Sequence, residues 1–190
     1  TADTTPTITL AALTATATRD VEKDILEQLG IPKAPVFNSG IDRDNLVFEV
    51  YRTVNEEAKF KRLLQIIEDN NDGGNGIVYV TTVKLANELH GMLLKAGITA
   101  GKYHGKMNKH ERETVQQDFM NNGYDILVAT KAFGLGIDKP DVRFVTHMDL
   151  PESLEAYFQE AGRGGRDGHH RLRHLRGLGR HPERESEPDG

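Results

Sequence analysis

The chain has 190 residues, 24 Lys plus Arg against 29 Asp plus Glu for a formal net charge of -5, 37% hydrophobic side chains, and neither Cys nor Trp. Without a thiol there is no disulfide, no thiolate zinc site and no cysteine nucleophile, and an acidic chain does not hold nucleic acid through a global basic field. No apolar run approaches the ~20 residues of a membrane helix and no apolar signal core opens the chain, so a soluble protein of the cytoplasm or nucleoid is expected, with no membrane partner.

Thr7–Leu13 reads as a first strand. Thr14-Ala15-Thr16-Ala17-Thr18 follows, and a Thr ahead of a helix usually serves as its N-cap. Val21, Ile25, Leu26 and Leu29 then form one apolar helix face, stopped by Gly30 and Pro32. Leu46–Val54 is the second strand candidate, and Phe60, Leu63, Leu64 and Ile67 mark the next helix. Asn71 to Gly76 is a turn cluster, leading to a strand over Ile77–Thr81. Leu85, Leu89, Met92, Leu93 and Ala96 repeat with helical period up to Gly97, and Ile98–His104 is the next strand. Asn108 and Glu111 have capping-box spacing at the start of a helix running through Val115 and Phe119. Ile126–Thr130 and Val142–His147 complete the strands, the last one after a loop instead of a helix. Short β-branched runs alternating with helices imply an α/β fold, a parallel sheet flanked by helices. No repeat of ~20–50 residues marks a solenoid.

Three segments are expected. Residues 1–41 supply one strand and one amphipathic helix, too little to bury that helix, and the chain opens at Thr1 without Met; this piece reads as the end of a separate lobe. Residues 42–168 form the compact unit. Residues 169–190 are an atypical tail with no Val, Ile, Phe, Tyr, Met, Thr or Lys, and four of the eight His residues fall there. That composition cannot offset the cost of ordering, so disorder is expected, and a shifted reading frame or replaced terminus is its expected origin. A His/Arg-rich tail without acidic partners at ligand spacing reads as solvated, so no metal site is expected.

Ligands of α/β folds bind at strand ends, and two segments there carry chemistry. In Ala129 to Pro140, Gly134 and Gly136 let main-chain N–H groups reach an anion without a Cβ in the way, and the Thr130 hydroxyl can donate to a phosphate. In Gln159 to Gly168, residues Gln159, Arg163 and Arg166 are spaced i, i+4, i+7, which on a helical turn puts them on one face. Their guanidinium forks suit phosphate oxygens.

Leu13 to Thr18, Ala129 to Pro140 and Gln159 to Gly168 closely resemble, in order and spacing, motifs three, five and six of the RecQ family of ATP-dependent DNA helicases. Ile77 to Thr82, Tyr103-His104-Gly105 and Val142 to Pro151 look like that family's second motor lobe; DEAD-box RNA helicases typically differ at these motifs. The resemblance implies RecA-like lobes that clasp ATP and Mg²⁺ and move along DNA in the 3′ to 5′ direction, unwinding it in recombination and repair. It implies that residues 1–41 end the first lobe and 42–168 form the second. Arg166 would be the arginine finger and Arg163 would also face the nucleotide. Gln159, Asp138 and Gly136 would complete the ATP-facing surface, and Thr14 and Thr16 would couple the lobes. Thr81, Thr82, Thr130 and Lys131 would touch the backbone of single-stranded or forked DNA, reading phosphates and not bases. The chain departs from the family in several places. It has no Gly-x-x-x-x-Gly-Lys-[Ser/Thr] and no Asp-Glu box, so most contacts to ATP and Mg²⁺ are expected elsewhere and this segment alone is expected to be inactive. Val83 and Val80 stand where the family often has Arg and Cys, Lys106 replaces a common Gly, and the cysteine-bearing zinc subdomain of many members does not follow Gly168. Two other readings stay open: a non-catalytic nucleic-acid-binding fragment, and an unrelated α/β phosphate-binding domain.

Overall fold

A computed structural model describes residues 9–14, 18–37, 46–70, 74–134 and 137–166, together with the backbone of His174–Leu175. The chain divides into two compact units, Thr1–Asp42 and Arg43–Gly190.

In the first unit, α1 (Arg19–Gln28) starts at Thr18, whose side chain accepts from the Val21 N–H at 3.3 Å. The helix ends at Leu29, and Gly30 takes the left-handed conformation (φ 67°) that lets the Ile31 N–H return to the Leu26 carbonyl. No residue of α1 is buried, although Ile25 and Leu26 on the expected apolar face are half-buried. The strand expected over Thr7–Leu13 is absent from its described part, residues 9–13. Leu13 is 92% exposed, and no other strand among the described residues of this unit offers a ladder for its N–H groups.

The second unit holds β1 (Val50–Tyr51), α2 (Glu56–Asp69), β2 (Asn75–Tyr79), α3 (Val83–Lys95), β3 (Ala100–Tyr103), α4 (Lys109–Met120), β4 (Ile126–Ala129), β5 (Val142–His147), α5 (Leu154–Ala161) and β6 (His174–Leu175). Four strands form one parallel sheet in the order β3-β4-β2-β5. The connections explain why it is parallel: α3 and α4 each carry the chain back to the starting end of the sheet. This is the RecA-like α/β architecture.

Strand alternation sorts the core onto two faces. Val78, Val80, Ile126, Val128 and Phe144 point to the side covered by Leu63 and Ile66 of α2 and Leu89 and Leu93 of α3. Ile77, Tyr79, Leu127, Ala129 and Val145 point to the other side, which holds Phe119 of α4 with Phe133 and Ile137 of the segment after β4. In α2 the buried row is Lys59, Leu63 and Ile66; Phe60, Leu64 and Ile67 of the expected face are only half-buried. Asn108 and Glu111 close the capping box of α4 in both directions, at 2.9 and 2.8 Å.

Asn75 and Gly76 belong to buried β2 and not to the turn, and Gly76 is there because a Cβ would run into the Phe144 ring on β5. The long strand expected over Leu46–Val54 is only Val50–Tyr51, which pairs with β6, Val50 opposite His174 and Tyr51 opposite Leu175. The ladder gives those two tail residues backbone partners, and it uses groups that every side-chain composition carries. The rest of 169–190 lies outside the described residues.

Candidate functional site

After β4, the chain leaves the sheet through Thr130 and Lys131 and folds back over the second core face. The Thr130 carbonyl accepts from the Phe133 N–H at 2.9 Å, and Phe133 is buried against Tyr103 and Phe119, with ring centroids 5.0 and 5.9 Å away. Farther on, Lys139 is buried, and its ammonium reaches Asp141 at 2.8 Å and the Asn122 side-chain oxygen at 2.6 Å. It also lies 5.6 Å over the Phe119 ring. A buried ammonium this well paired pins the segment to the end of α4 just before β5 begins.

Between those anchors sit Gly134 and Asp138. Gly134 supports the Arg163 guanidinium so closely that a Cβ there would stand 2.5 Å from Nη2. The Arg163 Nε is buried and has no hydrogen-bond partner. Asp138 is exposed and accepts from Arg166 Nη1 at 2.5 Å. Gly136 lies outside the described residues.

The expected single face for Gln159, Arg163 and Arg166 is not what forms. The helix α5 ends at Ala161 with Gly162 as its C-cap, so only Gln159 is helical, and its side chain is exposed. Gly165 takes φ 60° and donates to the Val142 carbonyl at 3.0 Å, turning Arg166 toward Asp138. A turn, not a helix, brings the two arginines to the glycine segment.

The other candidates gather where β2, β4 and β5 end. Thr81 donates to Asp149 Oδ2 at 2.9 Å, and Asp149 also meets the buried Lys59 ammonium at 3.4 Å. Thr82 is the N-cap of α3, accepting from the Leu85 N–H at 3.1 Å. Thr130 is buried. Lys131 is exposed and bonds both Glu152 oxygens, at 2.7 and 2.9 Å. Asp149 and Glu152 are not among the sequence candidates, although both stand in the loop leaving a strand tip, a place where a carboxylate can meet a hydroxyl or an ammonium. Thr14 is described and exposed, whereas Thr16 lies outside the described residues. No group of His, Asp and Glu that could hold a metal ion occurs among the described residues, and no described helix is long and apolar enough to cross a membrane.

Beneath these two surfaces lies a buried polar cluster. His147 Nε2 pairs with Glu160 Oε2 at 2.7 Å, and the His147 ring stacks on Tyr79 at 5.3 Å. The Tyr79 hydroxyl donates to the Phe133 carbonyl at 3.2 Å. Burial pushes the Tyr79 phenol well above its ordinary range, so it remains a donor.

Residues 58–168 match the helicase conserved C-terminal domain family. The chain belongs to that family. This helicase C-terminal domain is 42% identical over 159 residues to the ATP-dependent DNA helicase RecQ of Bacillus subtilis, covering 84% of the chain and 26% of that protein. It is 42% identical over 170 residues to ATP-dependent DNA helicase Q-like 2 of Arabidopsis thaliana, covering 86% and 23%. To the RecQ-like DNA helicase blm-1 of Caenorhabditis elegans it is 41% identical over 168 residues, covering 86% and 16%. The helicase domain is thus of RecQ type, and it spans about a quarter or less of the length of these relatives. Among solved structures, Saccharomyces cerevisiae Dbp5 bound to RNA and ADP BeF3 superposes with a TM-score of 0.72 at 26% identity, over 86% of this chain and 43% of that one. The reading as an unrelated phosphate-binding domain does not survive the family match.

Proposed function

We propose that the second unit is the second motor lobe of an ATP-dependent, 3′ to 5′ DNA helicase of RecQ type, with residues 1–41 ending the first lobe. The observation that carries this is the pair of guanidiniums beside Gly134 and Asp138, one of them with a buried Nε that has no partner. Two donor forks and an unsatisfied donor fit the phosphates of ATP. When bound with Mg²⁺, ATP supplies the phosphoryl group whose transfer to water releases the free energy for movement.

The chain's own residues then divide the work. Arg166 acts as the arginine finger, offsetting charge that develops during phosphoryl transfer, and Asp138 holds it beforehand. Arg163 presents a second fork, while Gln159 and Gly136 complete that surface. At the strand tips, Thr81, Thr82, Thr130 and Lys131 meet the phosphates of single-stranded or forked DNA. Lys131 exchanges Glu152 for a phosphate, so binding there is weakened by salt and indifferent to sequence. Thr14 and Thr16 pass the nucleotide state between the lobes.

The test is Arg166→Ala in a complete helicase polypeptide carrying this segment. DNA-stimulated ATP hydrolysis should fall by about 10³-fold or more while DNA affinity survives. Turnover within a few-fold of the parent, or a loss confined to DNA affinity, would refute the assignment.

A further inference from the structure

Tyr79 is the last residue of β2, two residues before Thr81, and is 3% exposed. Its hydroxyl donates to the carbonyl of Phe133, the residue between the Thr130-Lys131 tip and Gly134. Its ring stacks on His147, which is tied to Glu160 three residues before Arg163. Gly134, the residue after Phe133, carries the Arg163 guanidinium so closely that a Cβ there would stand 2.5 Å from Nη2. One side chain thus joins both tips that carry nucleic-acid candidates, through β2 and through Phe133, to the arginine that rests on Gly134.

The sheet alone would be served as well by Phe, since the ring fills the core on its own. A buried hydroxyl is costly unless bonded, and this one keeps its place by donating to the Phe133 carbonyl of a different element. We infer that Tyr79 is a positioning residue that couples strand-tip contacts with DNA to the placement of Arg163. The inference rests on the helicase reading above. Phosphates drawing on Thr81 or on the Thr130-Lys131 turn shift the end of β2 or Phe133, and the bond from Tyr79 to Phe133 passes that shift to Gly134, on which Arg163 rests.

Tyr79→Phe in a complete helicase polypeptide carrying this segment is the test, because it removes one oxygen and keeps the ring. The readouts are ATP hydrolysis without DNA, hydrolysis at saturating single-stranded DNA, KM for ATP, affinity for that DNA, and cooperative thermal unfolding as the control for folding. The ratio of DNA-stimulated to basal hydrolysis should fall by about fivefold or more, through kcat, with DNA affinity and basal hydrolysis each within about twofold of the parent. A ratio that stays within about twofold, or a fall that merely follows lost DNA affinity or lost folding, overturns the inference. A parent polypeptide whose hydrolysis ignores DNA altogether overturns the helicase reading first, and this coupling with it.

Discussion

Gly134→Ala separates the placement of Arg163 from the stability of the fold. A Cβ at Gly134 would stand 2.5 Å from Arg163 Nη2, 3.1 Å from Cζ and 3.4 Å from Nε, whereas ordinary contact begins at 3.4 Å. The guanidinium must therefore retreat by about 1 Å, and as the far end of a flexible side chain it can do so without moving backbone. Stability should change by no more than about 1 kcal/mol, because strain from the new methyl is opposed by the smaller conformational entropy of Ala in the unfolded chain. A 1 Å misplacement of a group that orients a reacting phosphate is worth on the order of 10²-fold in rate. Thermal unfolding and DNA-stimulated ATP hydrolysis, measured on the same complete polypeptide, are the two assays. Hydrolysis within threefold of the parent would show that Arg163 does not act on nucleotide from this position. A drop in stability well beyond 1 kcal/mol would show that Arg163 is locked in place and does not yield.

The 190-residue chain by itself should hydrolyse ATP no faster with DNA than without, since its sequence contains no Gly-x-x-x-x-Gly-Lys-[Ser/Thr]; robust DNA-stimulated release of phosphate by the purified chain would refute this. Phe119→Ala should cost about 3–5 kcal/mol in chemical denaturation, because Phe119 is fully buried against Phe133 and beneath the Lys139 ammonium. Stability should decline as pH falls below about 6.5, the ordinary histidine value, through His90. Burial holds its folded-state affinity for a proton below that of the unfolded chain; the Ala100 carbonyl opposes this, and the charge of Lys102 adds a smaller push in the same direction as burial. Acid therefore protonates the unfolded state first, and the contribution is present above the unfolded pKa and lost on acidification. Unfolding midpoints of parent and His90→Gln across pH 5 to 8 check it: the parent should show the steeper decline.

Local patterns were legible where one element decides its own boundaries. The i, i+3 pairing of Asn108 and Glu111 announced the start of α4, and the six-residue run Val142–His147 is β5 as read. What local patterns could not carry was any contact set by tertiary packing. Asn75 and Gly76 look like turn residues until Phe144, from a strand far along the chain, fills the space above Gly76. Spacing alone put Gln159, Arg163 and Arg166 on one helix, but the glycines at 162 and 165 end α5 first and redirect the chain. The pairing of Arg166 with Asp138 spans 28 positions, and the bond from Tyr79 to Phe133 spans 54, distances over which no periodicity reports. The pairings of Thr81 with Asp149 and of Lys131 with Glu152 likewise join the ends of different strands, so the two carboxylates are marked by their place past β5 and not by any spacing.

The two faces of the sheet have a practical corollary for attaching probes. The helix α3 covers the face away from Phe133 and runs back to exposed Lys95, beside the start of edge strand β3. That corner shares neither the Gly134 segment nor the strand tips around Lys131. Since the chain has no cysteine of its own, one introduced at position 95 would be a unique thiol. A dye or surface tether fixed there would leave both Arg163 and Lys131 open to solution, so the orientation of an immobilised molecule can be chosen in advance.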